Sequence, residues 1–272
     1  MRPMSGSTQL SIPEPSPEWW ETTSIWVVPG PDPNGPKGSP IAGEQAYVWA
    51  EIHNVSNVPV TDVQVRFYWA NPAFEMLYSK INKIGTAYAT IPPGDSQQVL
   101  CLVPWQVEYA NNGHECLVVA AGLPGDPALP DLVDAPGYPQ VAQKNVTVWK
   151  TPPSEWDWSQ IHLIAPADES RSIQVSSRIG GQLPAESLEQ LGLGQAQPVA
   201  ESVADVRFSL RPGGGGDPRI TVEVPAGGSV PLFVNVMRTG ALLADRYQLL
   251  RVAGEHDGQL VGGVSFVITA RG

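Results

Sequence analysis

From Tyr47 to His53 the chain alternates, with Val48, Ala50 and Ile52 on one side and Tyr47, Trp49, Glu51 and His53 on the other. The run Asp62–Trp69 repeats the pattern, setting Val63, Val65, Phe67 and Trp69 against Asp62, Gln64, Arg66 and Tyr68. A period of two is the mark of a half-buried strand. The turn-forming stretch Asn54–Pro59 separates the two runs. Ser24–Val28, Thr86–Thr90, Gln98–Trp105, Glu115–Ala121 and Val141–Trp149 complete about seven expected strands, the number an immunoglobulin-like sandwich needs. The second half offers Gln160–Ile164, Ser172–Ile179, Val203–Leu210, Arg219–Val224, Val230–Met237, Tyr247–Val252 and Leu260–Thr269. His256-Asp257-Gly258 reads as a tight hairpin turn, and Pro184–Leu191 as one short helix with Glu186 near its start. The four consecutive glycines between Arg211 and Pro218 read as a flexible loop.

A repeat links the halves. Ile91-Pro92-Pro93-Gly94-Asp95-Ser96 matches Val224-Pro225-Ala226-Gly227-Gly228-Ser229 at an offset of 133, and at that offset Val103 meets Val236, Val119 meets Val252 and Ala120 meets Ala253. Each copy thus carries a Pro/Gly turn, an apolar strand, a polar connection and another apolar strand. Composition also breaks near residue 155. All nine tryptophans lie between Trp19 and Trp158, and nine of the eleven arginines follow the break. Residues 1–158 carry 7 basic and 16 acidic groups, residues 159–272 carry 9 and 11. The expected organisation is all-β: two tandem immunoglobulin-like β-sandwich domains, 18–151 and 155–272, joined at Pro152-Pro153-Ser154. A Ser/Pro/Gln tail over 1–17 is expected to be disordered or docked.

Low charge (16%) with 27 glycines and 28 prolines fits many tight connections. A net charge of −11 argues against nucleic acid as a partner, since phosphate binding needs clustered Lys and Arg. No apolar run is long enough to span a membrane as a helix. The first residues lack the pattern of a cleavable secretory signal, so the expectation is a cytoplasmic protein or export by a non-classical route.

The stretches Tyr47-Val-Trp-Ala-Glu-Ile-His-Asn-Val-Ser-Asn, Val60-Thr-Asp-Val-Gln-Val-Arg-Phe-Tyr-Trp and Ile91-Pro-Pro-Gly-Asp-Ser resemble the cell-adhesion-related domain found in bacteria. The resemblance covers roughly residues 20–150. It implies a seven-stranded immunoglobulin-like module of the kind common in bacterial surface and secreted proteins, and no particular ligand.

Catalytic signatures are absent: no Gly-x-Ser-x-Gly, no His-Glu-x-x-His and no phosphate loop. No cofactor is expected, and a non-catalytic binding or assembly role is. Tyr47, Trp49 and Tyr68 are candidates for a shared outward face that meets a protein partner or, alternatively, stacks on carbohydrate. The sheet edges are candidates for strand addition, and a subunit of a secretion or phage-like appendage is a third reading. Cys101 and Cys116 sit on consecutive strands and are a candidate disulfide, the compartment deciding the outcome. His114 and Cys116, two apart, suit a nucleophile pair on paper, but the apolar run around the cysteine favours packing. Asp126, Asp131 and Asp134 share one loop and could hold calcium, although their spacing is not that of an EF-hand; a solvated acidic loop is the plainer expectation. Asn54-Val55-Ser56 and Asn145-Val146-Thr147 fit the glycosylation pattern. Tyr247, with His114 at the matching repeat position, is expected to brace a sandwich corner.

Overall fold

The computed structural model describes residues 9–14, 17–108, 114–151, 155–213 and 215–270. The fold is all-β, as the alternation predicts, and divides into two compact units. One holds Met1–Ala70, Leu77–Tyr109 and Cys116–Lys144; the other holds Asn71–Met76, Ala110–Glu115 and Asn145–Gly272. The second unit's main run thus begins at Asn145, ahead of Pro152-Pro153-Ser154, which lie outside the described residues.

In chain order the first unit contains β1 (Leu10–Ser11), β2 (Ile25–Pro29), β3 (Gln45–Asn54) and β4 (Val60–Ala70). β5 (Ala73–Phe74) belongs to the second unit. Then come β6 (Asn82–Ile91), β7 (Ser96–Leu100), β8 (Trp105–Gln106), β9 (Cys116–Gly122) and β10 (Val141–Lys144). β3 is the middle of one sheet. One of its edges takes β2 and β1, the other takes β7 and β8, all antiparallel. The second sheet runs β10-β9-β4-β6. Between them lies an apolar core in which Leu10, Ile25, Val48 and Ile52 meet Val63, Val65, Phe67 and Val119.

Asn54 ties the turns of this unit together. Its side-chain amide donates to the carbonyls of Val58 (2.8 Å), Ile91 (3.1 Å) and Pro92 (3.0 Å), while its Oδ1 accepts from the amide and hydroxyl of Ser56. That one side chain explains why the polar turn after β3 and the Pro-Pro-Gly turn after β6 occur together. Lys144 closes the other side, donating to the carbonyls of Thr22 and Ile25.

The second unit comprises β5, β11 (Val146–Thr151), β12 (Trp156–Ile164), β13 (Arg171–Ile179), helix α1 (Ala185–Gln190), β14 (Gln197–Pro198), β15 (Ala204–Ser209), β16 (Arg219–Val224), β17 (Ser229–Arg238), β18 (Arg246–His256) and β19 (Gln259–Ala270). One sheet runs β11-β19-β18-β13-β16, with β14 beside β18; the other runs β15-β17-β12-β5. The expected strand Val141–Trp149 is two strands, β10 and β11, serving different units. Asn145 stands between them, its Nδ2 donating to Gly263 O at 3.0 Å and its carbonyl accepting from Ser265 N.

The repeat has a structural counterpart. The order β10-β9-β4-β6 in one unit matches β19-β18-β13-β16 in the other, and β7 beside β3 matches β17 beside β12. At the Pro/Gly turns both units place a glycine in the left-handed region, Gly94 (φ 63°) and Gly227 (φ 67°). Each turn is closed by a bond to the carbonyl three residues back, from Asp95 to Pro92 and from Gly228 to Pro225, the type II geometry that demands φ > 0 at that place. The match in spacing ends at the last strand. The first unit spends residues 123–140 between β9 and β10, whereas Asp257 and Gly258, both with positive φ, join β18 to β19 in a two-residue hairpin.

β5 is short but well anchored. Its Phe74 is fully buried in the second unit's core against Ile173, Val252 and Phe266. The adjacent Glu75 pairs with Arg171 (Nε to Oε2, 3.1 Å), and both are buried. Burial pushes the Glu75 carboxyl up against the opposing pull of Arg171. The loop from Leu210 to Pro218 is closed at its base, where Phe208 and Asp217 exchange two backbone bonds of 2.8 and 3.0 Å. No helix among the described residues is long and apolar enough to cross a membrane.

Candidate interaction surface

Tyr47 and Trp49 do point away from the core on β3, and Tyr68 does so on β4, but they do not share a face. β3 and β4 belong to opposite sheets, so the outward side of one is turned away from the outward side of the other. Alternation fixes which side of a strand a residue takes; it does not fix which sheet the strand joins.

The β3 face is furnished by its own chain. Trp49 lies opposite Trp26 of β2, the rings stacked at 5.9 Å with 7° between planes. The Trp49 indole N–H donates to Pro33 O at 3.0 Å, and the Lys37 ammonium stands 4.2 Å from the Trp26 ring. Trp26 is only 4% exposed. A sugar would have to displace Lys37 to stack there, and this weighs against the carbohydrate reading. On the other face Tyr68 leans on Tyr78 at 5.4 Å, and burial raises the Tyr78 hydroxyl pKa.

β6 is different. It is ten residues long, forms the end of its sheet and pairs only with β4 among the described residues. From Val63↔Ala89 to Phe67↔Gly85 the ladder is unbroken, and Ile84–Ile91 contains neither proline nor charge. Tyr88 is 68% exposed on this strand. Leu102 (76%) and Val103 (48%) are exposed in the segment after β7, and a Cβ on Gly85 would come within 3.0 Å of Val103. Exposed apolar side chains therefore flank a strand edge that is unpaired among the described residues. Thr86–Thr90 was legible as a strand; nothing in the sequence marks it as an edge, because edge status depends on what fails to pair with it.

The other candidates have local duties. Cys101 and Cys116 are free thiols, so the candidate disulfide is not formed. Cys101 faces the core beside Gly85, whereas Cys116 lies on the side of β9 opposite the core-facing Leu117, Val119 and Ala121. Burial raises both thiol pKa values, which leaves them poor nucleophiles. His114 bonds Asn145 Oδ1 at 2.7 Å and meets Phe266 edge-on; burial holds its pKa down to about 4. Tyr247 braces its unit as expected, though over a longer span: its hydroxyl accepts from Leu183 N at 3.3 Å, beside Leu188 of the helix and Leu191 just past its end. The three aspartates cap separate turns. Asp126 accepts from Leu123 N, Asp131 from the amide and hydroxyl of Ser79, and Asp134 from Gly137 N. Among the described residues no three His, Cys, Asp or Glu side chains converge as a metal site. Asn54 and Asn145 are fully buried with their amide nitrogens engaged, which bars glycan attachment to the folded chain.

No family model and no curated protein matches the chain. Among solved structures it is similar to a red sea bream transglutaminase, at 10% identity and a TM-score of 0.24, over 92% of this chain and 32% of that one. It is also similar to the CupB6 tip adhesin from Pseudomonas aeruginosa, at 12% identity and a TM-score of 0.28, over 97% of each chain. The chain spans about a third of the transglutaminase's length. Superpositions this loose carry neither neighbour's activity over to this chain.

Proposed function

We propose that this chain is a non-catalytic binding or assembly module that takes an extended segment of a partner protein onto the free edge of β6. The unpaired edge carries the reading. An incoming strand would complete its open hydrogen bonds, while Tyr88, Leu102 and Val103 offer apolar contacts that select among sequences. The buried, high-pKa thiols and the buried neutral His114 support a role without chemistry.

The test is recovery of partners from native cells and medium on the tagged chain, beside a Tyr88→Lys/Thr90→Lys variant. Both positions are exposed, so the variant keeps its fold, and edge lysines deter strand addition. A stoichiometric protein partner lost from the variant supports the proposal. A partner retained undiminished removes β6 from it, and a chain that recovers only glycans replaces it with the carbohydrate reading.

A further inference from the structure

We infer that a second copy of this chain can seat its β1 on β3 in place of the resident β1, giving a strand-exchanged dimer. This inference concerns a different edge from β6 and does not depend on it. The seat is fully built. Leu10 and Ile12 are buried in the first unit's core. Leu10 and Ser11 pair with Asn54 and His53, and Val55 N donates to Gln9 O at 2.8 Å. Ile12 N donates to Pro139 O at 2.7 Å. The Pro13 carbonyl accepts from the hydroxyls of Thr22 (3.3 Å) and Ser24 (2.7 Å).

All of this is done by residues 9–13, a short cassette whose last member, Pro13, and the nearby Pro17 have restricted φ angles that favour extended chain over a tight return. If the cassette leaves, it uncovers the core beneath Leu10 and Ile12 and frees the end of the β3 edge at His53 and Asn54. Such an opening fits two apolar side chains two residues apart, followed by a carbonyl for two hydroxyls. The same five residues of another copy meet those demands with no new complementarity, because exchange of an identical element preserves every contact.

Ser11→Cys and His53→Cys, made on separate chains, test this directly. The two variants are mixed at equal and rising concentrations, oxidised mildly and resolved without reductant, with light scattering on the unoxidised mixture. A covalent dimer that grows with concentration in the mixture, stays at background in either variant alone, and falls severalfold when Leu10→Ala is added to the Ser11→Cys chain is the expected result. The double variant Ser11→Cys/His53→Cys shows whether the pair can bond at all. Closure within one chain, with no covalent dimer from the mixture, overturns the proposal, as does equal dimer from Ser11→Cys alone. Neither failure touches the β6 edge.

Discussion

Phe74 lies so close over Gly262 that a Cβ on that glycine would come within 2.8 Å of the phenylalanine's own Cβ. Gly254 is equally crowded, at 2.5 Å from the Phe74 ring. The slot has therefore been shaped by the absence of side chains on β18 and β19. Gly262→Ala is expected to destabilise the chain by about 1–3 kcal/mol through overpacking, and Phe74→Ala by about 3–5 kcal/mol through the cavity it leaves. Urea unfolding followed by tryptophan fluorescence and by circular dichroism checks both values.

Asn54→Ala removes the donor shared by three carbonyls and strands those that are buried. A loss of about 2–3 kcal/mol is expected, since each orphaned buried group costs about 1–3 kcal/mol and part of the site reaches water. Thermal melting measures it. The same geometry predicts that the chain, expressed in a glycosylating host and recovered folded, carries no glycan at Asn54 or Asn145 by intact-mass spectrometry.

Glu14 makes one part of the stability pH-dependent. Burial raises its carboxyl from 4.5 to about 8, against opposing pulls from the Thr22 hydroxyl and the Lys144 ammonium. The folded chain thus holds this proton more tightly than the unfolded chain does. Its stabilising effect is complete below pH 4.5 and is lost as the pH rises through about 8. Glu14→Gln keeps the shape without the ionisation. Its stability relative to the wild type is expected to improve steadily from pH 5 to about 8 and to level off above that in denaturant titrations; a difference that stays flat throughout would contradict the burial of this carboxyl.

Cys101 and Cys116 are fully buried, so an aromatic disulfide reagent is expected to label neither thiol in the native chain and both in urea. Reductant should leave the melting temperature unchanged.

The strands were legible where one side of them meets a core and the other does not: β3, β4 and β16 follow from alternation, and Arg219–Val224 agrees at both ends. The turns at Gly94 and Gly227 were legible because few residues besides glycine adopt that conformation. β5 was not, since two residues carry no period. The break at Asn145 was hidden inside an apolar run that serves two cores. Sequence neighbours usually pair, yet the turn around Asn54 carries the chain from one sheet to the other, and this is what separates Tyr47 and Trp49 from Tyr68. The candidate site suffered most, because a free edge and a shielded ring are both properties of what surrounds a residue.

Phe74 belongs to a core whose walls include Gly254 and Gly262, made roughly 190 residues later, or about 10–40 seconds at ordinary rates of synthesis. Throughout that interval the ribosome has released an aromatic side chain whose pocket has not yet been written. The second unit therefore cannot close as its own strands emerge in turn; it must wait for its last hairpin before an early residue can come home.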